Sequence, residues 1–259
     1  MYAESFGRNI GFLTHEEQEK ISKLSIAIAG AGGDGGLLAE RLVRFGIGKI
    51  LLADPENFEL NNINRQFAAH TDNMSANKAR VVSRFLKAIN PRLQMQIFDE
   101  GVTAENVVEF VSQAEIIVDE IEYTVPELSV MLAREARKQG KLLFMGANVG
   151  WGASIFCFHP EGMTFEEYFE YDEQAKSINP KKYVNSIPDY IDQEMLGNVL
   201  AGEMPMPSLS SSVALVAALL SSRIILAAAK NIEPQFVPKV FQFDAFDLKV
   251  IEGVGHADI

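Results

Sequence analysis

A run of glycines interrupted by one acid, Gly30-Ala-Gly-Gly-Asp-Gly-Gly36, joins the apolar stretch 24–29 to residues 37–45, whose apolar positions recur at helical spacing. This junction constrains the fold more than any other feature of the chain. A short strand with no polar face belongs inside a sheet covered on both sides. Glycines directly after it allow a sharp turn and leave backbone N–H groups bare at the positive end of the following helix, where an anion is stabilised.

The pattern then repeats. Residues 49–53 read as a second buried strand ending at Asp54-Pro55, and 77–89 as a helix stopped by Asn90-Pro91. Strands follow at 94–98, 116–119 and 142–145, with helices near 104–112 and 126–138 between them. Strands alternating with helices predict an α/β, Rossmann-like fold: a mostly parallel sheet with helices on both faces. Residues 153–158 alternate weakly and 239–244 alternate more clearly, so antiparallel strands are expected to extend the sheet on its C-terminal side. The apolar segment 213–229, cut by Ser221, Ser222 and Arg223, is expected to be a buried helix, too short to span a bilayer comfortably.

The whole chain, 1–259, is expected to form a single nucleotide-binding domain. Segment 161–204 stands apart, with ten Asp and Glu against three Lys, several Pro and Gly breaks and no sustained period. It reads as an insertion or crossover covering a site, with a plain surface excursion as the alternative.

Charge narrows the function. Lys and Arg number 23 against 35 Asp and Glu, a formal net charge of −12, which disfavours nucleic acid or an anionic membrane as partner. The lone Cys157 excludes an intrachain disulfide and a zinc site built from several cysteines, so no zinc is expected. Its place in an apolar strand points to a small buried hydrophobe rather than a reactive thiol. The first residues, Met1-Tyr-Ala-Glu-Ser-Phe-Gly-Arg8, are not a signal peptide, and a cytoplasmic location is expected. His15, His70, His159 and His256 have no metal spacing.

On spacing alone, a dinucleotide site is the commonest reading of the glycine turn. Asp54, about 20 residues on, is placed to accept hydrogen bonds from a ribose with either a mono- or a dinucleotide, or else simply ends its strand. The segment Asp54-Pro-Glu56-Asn-Phe-Glu-Leu-Asn61-Asn62-Ile-Asn-Arg65-Gln66, with Asn77-Lys78-Ala79 beyond it, separates these readings. Here the sequence resembles the E1-like superfamily of ATP-dependent adenylyltransferases, which includes the ThiF, MoeB and HesA proteins and the ubiquitin-activating enzymes. The resemblance runs from about Arg8 to Phe158, with weaker echoes in 207–229 and in the final strand.

The resemblance implies adenylation of a carboxylate by Mg·ATP with release of pyrophosphate. The carboxylate would be the C-terminus of a small Gly-Gly-tailed carrier or ubiquitin-like protein, a peptide or a small metabolite. Gly30, Gly32, Gly33 and Gly35 would cradle phosphates, with Asp54 on the ribose and Glu56, Asn62 and Gln66 completing the nucleotide site. Arg65 would contact the triphosphate, and Lys78 would neutralise charge during displacement. Arg8 resembles an arginine that reaches the γ-phosphate from a neighbouring subunit, which implies a homodimer. Clustering Arg65, Lys78 and Arg8 would place scarce cations where pyrophosphate departs.

Two departures stand out. Where the family has Asp-x-x-Asp-Asn, whose second Asp binds magnesium, this chain has Asp119-Glu-Ile-Glu122-Tyr123. Glu122, helped by Asp119 or Glu120, is the expected metal ligand. Asp34 puts an anion in a turn built for phosphates, either turned to solvent or touching metal. Trp151 either faces the acyl group or packs. The rival readings are a non-catalytic E1-like nucleotide- or partner-binding subunit and, last, an NAD(P)-dependent oxidoreductase.

Overall fold

In a computed structural model, the structure describes residues 2–253; His256 lies outside them. The chain opens with α1 (Tyr2–Ser5) and α2 (His15–Lys23). A capping box starts α2: Thr14 Oγ1 accepts from the Glu17 N–H, and the Glu17 carboxylate accepts from the Thr14 N–H. The α/β core follows as β1 (Ser25–Ala29), α3 (Gly33–Phe45), β2 (Lys49–Ala53), α4 (Lys78–Ile89), β3 (Gln94–Phe98), α5 (Val107–Ser112), β4 (Ile116–Asp119), α6 (Pro126–Lys138) and β5 (Leu142–Val149). Gly46, at φ 95°, ends α3 with a left-handed cap, and Pro126 stands in the first turn of α6.

The remaining elements are β6 (Gly152–Phe158), α7 (Phe165–Phe169), α8 (Gln193–Leu200), α9 (Ser210–Lys230), β7 (Val240–Asp244) and β8 (Lys249–Gly253). The eight strands form one sheet in the order β3-β2-β1-β4-β5-β6-β7-β8. The first five are parallel and the last three antiparallel, as expected from the sequence. The weak alternation of β6 has a physical reason: all seven of its residues are buried, so neither face is polar. β8 was not expected; its exposed Lys249, Val250 and Glu252 give it no core-facing stripe.

Two hydrophobic cores flank the sheet. One joins α2, α3, α4 and α9 to the side chains of Ile26, Ile28, Ile50 and Leu52; the other joins α5, α6 and α7 to Ala27, Ala29, Leu51 and Ile117. At 21 residues α9 is longer than expected, and its length and composition suffice to cross a membrane. It instead packs against α2, α3, β5 and β6, burying Val216, Ala217, Leu220 and Ile224 there. Cys157, in β6 opposite Phe144, is 1% exposed, and burial pushes its thiol pKa up.

Candidate active site

Because β1 pairs with β2 on one side and β4 on the other, the crossovers diverge at the carboxyl end of β1 and open a crevice there. A cavity of about 940 Å³ occupies it. Small-molecule sites span roughly 300–1,000 Å³, so this cavity lies at the upper end of that range.

Its floor is the glycine turn. Gly30 has φ 105°, and a Cβ there would collide with the Glu120 carbonyl oxygen; a Cβ on Gly35 would collide with the carbonyl of Gly30. The turn therefore passes closer to the end of β4 than any other residue type permits. Gly32 caps α3 without a side-chain hydrogen bond, so the first turn at Gly33–Gly35, which lines the cavity, has no capping side chain on its N–H groups.

Asp54 is fixed from both sides: Oδ2 accepts from the Ala31 N–H at 2.7 Å and Oδ1 from the Glu56 N–H at 2.8 Å. Burial raises its pKa, against those two hydrogen bonds. Lys78 begins α4 behind the N-cap Asn77, whose Oδ1 accepts from the Arg80 N–H. Lys78 is only 5% exposed, and its Nζ meets Glu56 Oε2 at 2.5 Å. Glu56 thus meets Lys78 directly.

Asn62 is buried and organises its loop, Oδ1 accepting from the Glu59 N–H and Nδ2 donating to Asn61 Oδ1. It is not part of the cavity wall, whereas Arg65 and Gln66 are. The guanidinium of Arg65 donates to Asn61 O and Asn64 Oδ1, and a Cβ on Gly33 would lie 3.8 Å from its Cγ, so its stem crosses the glycine turn. Gln66 is buried beside Gly32, and its Oε1 has no partner. Arg8 is exposed on the loop after α1, which docks through Tyr2 onto Gly46 at the far end of α3. Thirteen residues of helix separate that end from the turn, about 20 Å. Within one chain Arg8 does not join Arg65 and Lys78.

Carboxylates gather on the opposite wall. Asp119, 1% exposed, accepts from the Ile121 N–H through Oδ1, while Oδ2 has no partner; burial pushes its pKa up to about 6. Glu120 accepts from the Gly146 N–H, and burial, then the charges of Asp34 and Asp119, raise its pKa well above the ordinary range. Burial pushes Asp34 up to about 7, opposed by a hydrogen bond from Asn148 and the charge of Arg65. Asp34 lines the cavity with its carboxylate turned to Asn148, whose Nδ2 donates to Oδ2 at 2.6 Å. Glu122 is exposed on the same wall.

Among the described residues no three His, Cys, Asp or Glu converge as a metal cage. Magnesium held largely by phosphate oxygens needs only one or two carboxylates. The hard oxygens of Glu122 and the unpartnered Oδ2 of Asp119 have the chemistry for that.

The 161–204 segment forms the outer wall. Ile178, Val184, Ile187, Ile191, Val199 and Leu200 give it an apolar surface, Tyr183 stands among them, and Lys176 and Lys181 also line the cavity. Sequence reasoning missed both lysines because they are a minority in an acidic stretch. It also missed Asn148 and Ser208, which carry no charge or motif. Trp151 does not line the cavity; its N–H donates to Tyr190 Oη at 2.9 Å, pinning the β5–β6 turn to the outer wall.

Comparison with known proteins fits this geometry. The chain is 28% identical over 149 residues to a sulfur carrier protein adenylyltransferase of Thermus thermophilus, covering 56% of this chain and 52% of that protein. It is 30% identical over 131 residues to a tRNA threonylcarbamoyladenosine dehydratase of Escherichia coli, covering 50% and 49%. The chain thus spans about half the length of the curated relatives it matches. The crystal structure of E. coli MccB with ATP shares the fold, with TM-score 0.71 and 18% identity over 93% of this chain and 67% of that one. A family model matches residues 6–254, well past the limits of the motif-bearing region. The chain is a member of the ThiF family.

Proposed function

We propose that this protein adenylates a carboxylate with Mg·ATP. The observation that carries this reading is one cavity holding a bare helix N-terminus, a ribose-ready Asp54, two cations at Arg65 and Lys78, and an apolar chamber beyond them. The curated relatives named as adenylyltransferases, and the structural relative with ATP, support it.

The first-turn N–H groups of α3 and the guanidinium of Arg65 bind the triphosphate. Asp54 keeps lone pairs free to accept from the ribose hydroxyls. The substrate carboxylate attacks the α-phosphorus; an O–P bond forms, the α–β bridging bond breaks, and pyrophosphate leaves with that electron pair. Lys78, released from Glu56 as phosphates approach, and Arg65 balance the charge on the departing group. Glu122 and Asp119 would hold magnesium, which supplies further charge neutralisation at the phosphates. The apolar outer wall excludes water from the acyl adenylate.

The carboxylate is read as the C-terminus of a small carrier protein or a peptide, entering beneath the 161–204 segment. A cytoplasmic homodimer is the proposed working form, with Arg8 supplied to the γ-phosphate by the neighbouring copy. The test is thermal stabilisation by Mg·ATP, AMP and NAD(H), followed by pyrophosphate exchange with candidate carboxylates. At 100 times the dissociation constant a true ligand adds about 2.7 kcal/mol. Selective stabilisation by Mg·ATP, and exchange lost in Arg65→Ala, are expected. Stabilisation by NAD(H) alone would refute the reading, and ATP binding with no exchange on any carboxylate would favour a non-catalytic subunit.

A further inference from the structure

Arg65 forms no ion pair within 4 Å among the described residues, and its long side chain is held by two neutral acceptors of its own loop. One of those acceptors is the end of a longer connection. Arg65 Nη1 donates to Asn64 Oδ1 at 3.0 Å, and Asn64 Nδ2 donates to the Ser208 carbonyl at 2.9 Å. Ser208 Oγ donates to Asn148 Oδ1 at 2.8 Å, and Asn148 Nδ2 donates to Asp34 Oδ2 at 2.6 Å. Four separate parts of the chain meet here: the 61–66 loop, the segment leading into α9, β5, and the first turn of α3.

We propose that Asn148 and Ser208 are positioning residues that fix the Arg65 guanidinium through this hydrogen-bond chain, which is anchored on Asp34.

Donor and acceptor chemistry makes the chain directional. An amide offers one acceptor oxygen and one donor NH₂. Asp34 accepts, which forces the NH₂ of Asn148 toward it and the amide oxygen toward the Ser208 hydroxyl. The Ser208 carbonyl likewise selects the NH₂ of Asn64, turning its oxygen to Arg65. Flipping either amide would set donor against donor or oxygen against oxygen. The acid inside the phosphate turn thereby has a role: it is the terminal acceptor that orients Asn148 and, through it, the Ser208 hydroxyl, while the Ser208 main chain carries the connection on to Asn64. Ser208 leads out of the outer wall, so the position of that wall and the aim of Arg65 are tied together.

The proposal rests on the reading of Arg65 as a triphosphate ligand, and two measurements separate their failures. In the nucleotide-free protein, hydrogen–deuterium exchange over residues 60–67 should quicken about tenfold in Ser208→Ala and Asn148→Ala and return to the wild-type rate in Ser208→Thr. Unchanged exchange in both alanine variants overturns the proposal whatever the ligand. For binding, Ser208→Ala should weaken Mg·ATP about tenfold and AMP less than twofold. In an Arg65→Ala background the same change should have no further effect, because it acts through the missing guanidinium. Additive losses would overturn it. A wild-type protein that does not bind ATP refutes the nucleotide reading alone, and the exchange data still decide whether the chain holds the Arg65 loop.

Discussion

Replacing Asp34 by Asn tests the electrostatics of the glycine turn. In the folded protein, burial carries the Asp34 pKa from 3.8 to about 7. Between these values the native state keeps a proton that the unfolded chain has released, so this residue's contribution to stability falls as pH rises, then levels off above 7. At about 1.4 kcal/mol per pH unit, the raised pKa of this acid costs at most about 4 kcal/mol at pH 8, against roughly 2 kcal/mol at pH 5. Asp34→Asn keeps an acceptor for Asn148 and removes the titration. Partial solvent access reduces the effect, so its stability gain over wild type should grow by about 1–2 kcal/mol from pH 5 to pH 8. Urea unfolding of both proteins at pH 5, 6, 7 and 8 measures this directly. A gain that does not change with pH, or a variant less stable than wild type at pH 8, would refute the reasoning.

Three further substitutions probe the turn and its surroundings. Gly30→Ala adds a Cβ against the Glu120 carbonyl at φ 105° and should cost about 3 kcal/mol or more, seen as a melting temperature lowered by roughly 6–12 °C. Glu56→Gln removes the partner of a buried ammonium, so the nucleotide-free protein should melt lower while the Mg·ATP-induced shift grows; an unchanged shift would show that Glu56 does not compete with phosphates. Glu122→Gln should lower metal-dependent pyrophosphate exchange about tenfold or more, and full activity would move the magnesium site elsewhere on the wall.

Much of the fold was legible because its signals are local. The strands at 49–53 and 116–119 stand at those residues, since each is a short run dominated by apolar side chains, and 94–98 follows the Asn90-Pro91 stop of the preceding helix. Nucleotide-site candidates were legible because the glycine turn, Asp54, Arg65, Gln66 and Lys78 are close in sequence to the crevice they line. The rest depends on long-range packing. Asn148 meets Ser208 across 60 residues and Asp34 across 114, which no period or spacing encodes. The Lys78–Glu56 pair was hidden for another reason: both residues fit a nucleotide site individually, and only their geometry shows that they occupy each other. Arg8 matches by motif, yet the fold sets it at the far end of α3, so within one chain it does not meet Arg65 and Lys78.

The sealed position of Cys157 bears on what happens after activation. It is the only thiol in the chain, and it lies in a fully buried strand with its pKa raised by burial. On the proposed reaction, the acyl group therefore has no cysteine on this chain to which it could be tethered. Its reactivity would have to be preserved as a mixed anhydride, whose survival is a race between hydrolysis and arrival of the acceptor. The outer wall then acts as a clock: the longer Val199, Leu200 and their neighbours keep water out, the more time an outside nucleophile has to collect the product.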